Sequence, residues 1–305
     1  MTTAIVADGI RKRYRDIQAV DGVSLTVETG EFYGILGPNG AGKTTTLEIL
    51  EGIREPDEGK IELLGLSPWP RNPKLLTRIG VQFQSSDFFE RLTTRETIQI
   101  FASFYGIGPR RADAMLERVA LGDVAQVPAM RLSGGQAHRL SIACALAHEP
   151  ELLFLDEPTT GLDPQSRRNL WDLLRDINAE GRTIVLTTHY LDEAEILCDR
   201  VSVMDHGKIL KTGAPATLIR ELDENVRVTV ESGLTDEQTV RELLGEAGAD
   251  VVAVADDGVS LSITTTLPGP VLKVLAEQGA LRGLEVRGAT LEDVFLQLTG
   301  REYRT

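Results

Sequence analysis

Gly37-Pro38-Asn39-Gly40-Ala41-Gly42-Lys43-Thr44 follows the apolar run 32–36 and opens a helical pattern over 43–50. The stretch fits G-x-x-x-x-G-K-[ST] in the strand-then-helix setting that a phosphate-binding loop requires. Phosphate oxygens must meet several backbone N–H groups at once. Side chains are therefore expected to be absent at Gly40 and Gly42, while the helix N-terminus supplies partial positive charge. Lys43 adds a full charge for the β and γ phosphates, and Thr44 offers a hydroxyl to Mg²⁺.

A second stretch, Leu152-Leu153-Phe154-Leu155-Asp156-Glu157-Pro158, reads as a buried strand that ends in two carboxylates. A sheet delivers ligand-binding groups at the carboxyl edge of its strands. Asp156 is placed to hold Mg²⁺ directly or through water. Glu157, one residue on, can polarise an attacking water as a general base.

Around these two anchors, short apolar runs alternate with amphipathic stretches through the first 220 residues, the grammar of a parallel sheet with crossover helices. Strands are expected at 32–36, 152–155, 184–187 and 201–204. Helices are expected at 43–50, 136–148, 165–179 and 191–197. Residues 5–27 alternate like strands and suggest an antiparallel flank on the main sheet. A helical insert is expected over about 75–130. After Leu222 the order becomes strand 226–231, helix 235–246, two strands within 251–265 around Asp256-Asp257-Gly258, helix 270–277 and strand 284–287. This β-α-β-β-α-β order is the ferredoxin-like grouping. A last helix starts at Leu291, with Thr290 as N-cap and Asp293 three residues on. The division expected is 1–220 and a small C-terminal α+β domain over 221–305.

Composition bounds the function. The chain has 305 residues, 42% hydrophobic and 26% charged, which is ordinary globular composition and excludes disordered and fibrous classes. Its 32 basic and 46 acidic side chains give a net charge of −14, unfavourable for nucleic acid or an anionic bilayer. The tail from 221 carries 7 basic and 16 acidic residues, so it deepens that imbalance. No apolar run approaches the roughly 20 residues needed to span a bilayer. No leader pattern is read at 1–9, and Cys144 and Cys198 are expected to be reduced thiols.

Leu132-Ser133-Gly134-Gly135-Gln136 places glycines ahead of another helix, a second possible cradle for anionic oxygens. Taken with the two anchors, this string resembles the signature of the ATP-binding cassette family, and the resemblance runs in family order over about 220 residues. It implies an α/β P-loop NTPase (RecA-like) core and binding of ATP with Mg²⁺. The nucleotide would be held by Gly37, Pro38, Asn39, Gly40, Ala41, Gly42, Lys43, Thr44 and Thr45. Tyr14 is similar to the aromatic that stacks on adenine; a surface tyrosine of a β-hairpin is the other reading. Gln84 is similar to the glutamine that touches Mg²⁺ and water, with Gln82 as its competitor. Thr44, Gln84 and Asp156 would hold the metal, while Glu157 and His189 would be catalytic.

The resemblance also implies pairing. Ser133, Gly134, Gly135 and Gln136 would reach ATP on a facing subunit, and the loop bearing Asp163 would cross between them. The pair would be a homodimer or two paired cassettes. Ala137 and His138 depart from the family's usual polar or basic pair. The segments Thr187-Thr188-His189-Tyr190-Leu191-Asp192-Glu193-Ala194-Glu195 and 289–300 resemble drug-resistance-type exporters. They imply export of a drug, lipid or polyketide-like substrate through a separate membrane permease, at the cytoplasmic face of the membrane and with no nucleic-acid partner. A soluble cassette ATPase acting on ribosomes or DNA and a non-hydrolysing regulatory switch are the alternatives.

Overall fold

The computed structural model describes residues 2–82, 88, 91–222, 226–234, 237–246 and 251–300. Two compact units divide between Ala214 and Pro215. Along the first run β1 (Thr3–Tyr14), β2 (Ile17–Glu28), β3 (Phe32–Leu36), α1 (Lys43–Leu50), β4 (Glu58–Leu63), α2 (Pro73–Leu76), β5 (Ile79–Gln82), α3 (Thr94–Ser103), α4 (Arg110–Arg118), α5 (Gly134–Leu146), β6 (Leu152–Asp156), α6 (Pro164–Ala179), β7 (Thr183–Thr188), α7 (Leu191–Leu197), β8 (Arg200–Asp205) and β9 (Lys208–Gly213). Six strands form one sheet in the order β5-β6-β7-β3-β8-β9. Its first five strands are parallel and only β9 runs antiparallel.

The sequence explains the layering. Every residue of β3, β6 and β7 is buried, because a parallel strand covered on both faces has no wet side to offer a polar residue. β1 and β2 alternate instead, since their sheet keeps one face toward water. The antiparallel flank is a sheet of its own, β2-β1-β4, rather than an extension of the main one. Ile5, Ile10, Val23 and Val27 of that sheet share a core with Ile35, Leu47, Leu50 and Phe154.

Two expectations need correction. The stretch from Leu75 is not helical throughout: β5 lies within it and pairs in parallel with β6, from Ile79↔Leu152 to Gln82↔Leu155. Four residues that include a glycine are too short to show a period, and Gly80 is needed there because a Cβ would lie 2.4 Å from the Ala145 carbonyl oxygen. Strand β9 was also not expected, its Lys208-Ile209-Leu210-Lys211 pattern being half charged.

The second unit holds α8 (Pro215–Arg220), β10 (Val226–Glu231), α9 (Glu237–Glu246), β11 (Val251–Asp256), β12 (Ser260–Thr265), α10 (Pro268–Glu277), β13 (Glu285–Arg287) and α11 (Leu291–Thr299). Its sheet order, β11-β12-β10-β13 and wholly antiparallel, is the ferredoxin-like arrangement. Val228, Val230, Leu261 and Ile263 pack against Val240, Leu244, Val271 and Leu275 of α9 and α10. Asp293 accepts the Thr290 N–H and hydroxyl, each at 2.9 Å, and so caps α11.

Phe154 is fully buried at the middle of β6. Phe154→Ala is expected to destabilise the chain by about 3–5 kcal/mol, read from urea unfolding; a loss below about 1 kcal/mol would place this ring outside the core that fixes the sheet.

Candidate functional site

The loop after β3 is shaped by its glycines in two ways. A Cβ at Gly37 would lie 2.3 Å from the Met204 carbonyl oxygen, and one at Gly42 equally close to that of Ala19. Gly42 also has φ 101° and Gly40 φ 79°, the left-handed region that favours glycine. Gly40 has open space around its Cα, so only conformation requires it there. The expectation for Gly42 is thus amended: backbone crowding by Ala19 demands glycine before any phosphate does. Thr46 Oγ1 donates to the Gly42 carbonyl at 2.9 Å and ties the loop to α1.

Lys43 is only 4% exposed. Its Nζ donates to the carbonyls of Gly37 at 2.9 Å and Pro38 at 3.2 Å, and meets Glu157 Oε1 at 3.1 Å. A cavity of about 380 Å³ opens above the loop, lined by Asn39, Gly40, Gly42, Lys43, Thr44, Thr45 and Glu157, with Ile17, Gln18, Ala19, His206 and Gly207 on its rim. The rim residues were not read from the sequence. Thr44 and Asn39 are exposed, whereas Ala41 is buried.

At the end of β6, Asp156 Oδ1 accepts from Thr44 Oγ1 at 3.2 Å and from Thr187 Oγ1. Burial pushes the Asp156 carboxyl above its ordinary range, against those two hydroxyls. Glu157 sits at φ 47°, a left-handed turn that swings its side chain back over the loop. The Thr187 hydroxyl accepts the Glu157 N–H at 3.0 Å. Glu157 Oε2 accepts from Thr160 Oγ1 at 3.1 Å and lies 3.0 Å from His189 Nδ1, a close approach that lacks hydrogen-bond alignment. Burial alone would raise the Glu157 pKa. Lys43 foremost, then His189, overcome it and hold the carboxyl below its ordinary value, so it is ionised at neutral pH. The His189 ring packs on Tyr190 at 4.1 Å, and the Arg167 guanidinium also lies over the Tyr190 ring, 4.0 Å from its centre.

The remaining expected residues divide. Tyr14 ends β1, half exposed, with Arg54 at 5.3 Å from its ring centre; it does not line the cavity. Gln84 lies outside the described residues. Gln82 is buried at the end of β5, and its amide nitrogen and oxygen have no partner among the described residues. Ser133 is the N-cap of α5 and forms a capping box with Gln136: Ser133 N–H donates to Oε1 at 2.9 Å, and Gln136 N–H to Ser133 Oγ at 3.3 Å. Gly134 faces open space, and a Cβ at Gly135 would lie 2.9 Å from Ser166 Oγ. Residues 133–136 do not line the Lys43 cavity. Asp163 caps α6 by accepting the N–H groups of Gln165 and Ser166, each at 3.0 Å. His138 reaches the Pro158 carbonyl, one residue past Glu157, and burial lowers its pKa.

The ABC transporter family model matches residues 20–160. "Nod factor export ATP-binding protein I" of Sinorhizobium fredii (strain NBRC 101917 / NGR234) is 40% identical over 306 residues, 99% of this chain and 87% of that one. The protein of the same name from Burkholderia lata is 42% identical over 298 residues, 96% of each. Among solved structures, the dimeric post-hydrolysis state of the ATP-binding cassette MJ0796 bound to ADP and Pi superposes with TM-score 0.64 at 28% identity, covering 69% of this chain and 98% of that one. The cbiO1 cassette from Clostridium perfringens gives TM-score 0.66 at 28% identity over 80% and 95%.

Glu51, the C-cap of α1, is buried, and its pKa is pushed up to about 8 by that burial, with Asp156 and Glu48 adding repulsion. A raised carboxyl pKa means the folded state keeps a proton that the unfolded chain gives up, so stability falls as pH rises between the two values. Glu51→Gln removes that loss. Its stability advantage over the parent in urea unfolding is expected to be absent near pH 4.5 and to grow until about pH 8; an advantage equal at both ends would contradict the assignment.

Proposed function

The chain belongs to the ABC transporter family, and on that premise we propose that it is the ATP-binding and ATP-hydrolysing subunit of an exporter whose pore is a separate membrane permease. One observation carries this reading: Lys43, Thr44, Asp156, Glu157 and His189 converge at the carboxyl ends of β3, β6 and β7. Tyr14, the 37–45 loop and Gln84 would hold ATP. Among the described residues no group of three His, Cys, Asp or Glu could hold a metal unaided. Mg²⁺ nevertheless fits, because it is commonly bound by one or two protein oxygens together with substrate phosphates. Thr44 and Asp156, 3.2 Å apart and both hard oxygen donors, would hold it with Gln84. The metal would offset negative charge on the phosphates.

The side chains then have defined tasks. Arriving phosphates compete with Glu157 for the Lys43 ammonium. As Lys43 turns to them, the strongest charge holding down the Glu157 pKa weakens, and burial is left to raise it. Glu157 becomes a better base at the moment a water needs to be polarised. His189, whose Nδ1 lies 3.0 Å from Glu157 Oε2, would meet the γ-phosphate.

The cassette is proposed to work as a pair, homodimeric or with a sister. The N-terminus of α5, with Ser133, Gly134, Gly135 and Gln136, would close on ATP held by the facing subunit, and Asp163 would anchor the crossing loop. A helix N-terminus with glycines favours an anion there. ATP would favour the closed pair and ADP would not, which turns hydrolysis into motion. Among the described residues no helix is long and apolar enough to cross a membrane. As the ATPase subunit of an exporter, the chain would sit at the cytoplasmic face through its permease. The relatives' names support export, and a drug, lipid or polyketide-like cargo is the finer proposal. The nucleotide-handling domain would be the first unit, ending at Ala214 rather than at the expected 220, and the second unit from Pro215 would be an accessory domain.

Glu157→Gln is expected to lower phosphate release from ATP by about 10²–10⁴-fold with binding retained; unchanged turnover would remove Glu157 as the base. Ser133→Arg should leave ATP binding by the monomer intact and abolish ATP-dependent dimerisation on a sizing column. A dimer of parental yield would count against a site shared between subunits.

A further inference from the structure

Glu193 is one of three acidic residues on the short helix α7, four residues beyond His189, and it is fully buried. The indole N–H of Trp171, on α6, donates to Glu193 Oε1 at 3.1 Å. The hydroxyls of Thr188 and Thr159 flank the same carboxyl. Each belongs to a segment that matters for the reaction. Thr188 directly precedes His189, and its hydroxyl accepts the Tyr190 N–H at 2.9 Å. Thr159 follows Glu157 by two residues and is itself fully buried.

Two atoms in this cluster have no aligned partner, Glu193 Oε2 and Thr159 Oγ1. A proton on the carboxyl would let Glu193 donate to Thr159 Oγ1 as well as accept from it. Burial drives the carboxyl in that direction, pushing its pKa up against the Trp171 indole and the flanking hydroxyls of Thr188 and Thr159, with neighbouring Asp192 adding to the rise. An acid in a position where the helix needs only an apolar contact is a cost to folding. None of the roles assigned to the hydrolytic site uses it.

We propose that Glu193 is a positioning residue for ATP hydrolysis, its carboxyl tying the strand end that bears His189 to the segment that follows Glu157, and both to α6. The link sets the approach of the His189 ring to Glu157, whose Nδ1 and Oε2 stand 3.0 Å apart. It touches neither phosphate nor water and acts through these two side chains.

This inference rests on the ATPase reading, and the full-length chain tests both by steady-state phosphate release. Glu193→Gln keeps the shape, an acceptor for Trp171 and a donor for Thr159, and is expected to hold kcat and KM within about twofold of the parent. Glu193→Leu fills the volume without polar atoms; kcat is expected to fall about 10- to 100-fold. Its KM for ATP should stay within about threefold, since binding is made elsewhere. Thr159→Val, similar in volume and distant from α7 in sequence, should lower kcat in the same manner and carries the test if the leucine variant does not fold. Parental kcat in the leucine or valine variant overturns the role. So does a glutamine variant as impaired as the leucine one, or a loss expressed mainly in KM. A parent chain that releases no phosphate overturns the ATPase reading instead.

Discussion

A lysine ammonium buried to 4% exposure beneath a glycine loop has to be neutralised inside the protein, because desolvating a charge without a partner costs more than most single interactions return. Two loop carbonyls and the Glu157 carboxylate do this for Lys43. That requirement propagates outward. Glu157 can reach back only because the chain turns left-handed as it leaves β6. The turn is held by the Thr187 hydroxyl, which accepts the Glu157 N–H while donating to Asp156. Thr187 stands there because β6 and β7 pair in the register that sets Asp156 against it. A slip of one residue would send each side chain to the opposite face of the sheet and dissolve the arrangement.

The register explains why the buried interior tolerates so many polar groups at one edge. Asp156, Glu157, Thr159, Thr187, Thr188, His189 and Glu193 are all buried, and they gather at the ends of β6 and β7 and the segments that follow. The hydrogen bonds of Thr187 to Asp156 and Glu157 run between segments, so the two strand ends are tied together. Disturbing a threonine here reaches both a carboxylate and a histidine. The capping box at Ser133 and Gln136 plays a comparable part for α5, satisfying two of the N–H groups that a helix start leaves without a partner.

Much of this was legible in the sequence, and the boundary of legibility has physical causes. Strand β3 and helix α1 were read to the residue, since an all-apolar run and a helical period separate cleanly at the loop between them. The order of the second unit's sheet followed from element order alone. Strand β5 escaped because it is four residues with a glycine, and β9 because lysines flank its apolar pair. The loop, Asp156 and Glu157 were read from residue type and spacing, and His189 from the family resemblance. Glu51 and Glu193 were not, because an acidic residue in a helix ordinarily belongs to the wet face, and only tertiary contacts show that these two are inside. Ala19 and Met204 were invisible for another reason: they act on Gly42 and Gly37 through backbone carbonyls, which no residue letter records.

Charge decides what such a chain needs in order to pair. With a net charge of −14, two copies repel, and a triphosphate placed between them adds further negative charge. In the proposed pair, association would come from local positive potential where the phosphates would sit, offered by Lys43 and by the N-termini of α1 and α5, whose dipoles favour an anion within about one turn. Such short-ranged attraction is lost when the terminal phosphate leaves, whereas the long-ranged repulsion persists. In the proposed cycle an acidic cassette would therefore be biased to open after hydrolysis, its charge imbalance helping to reset it.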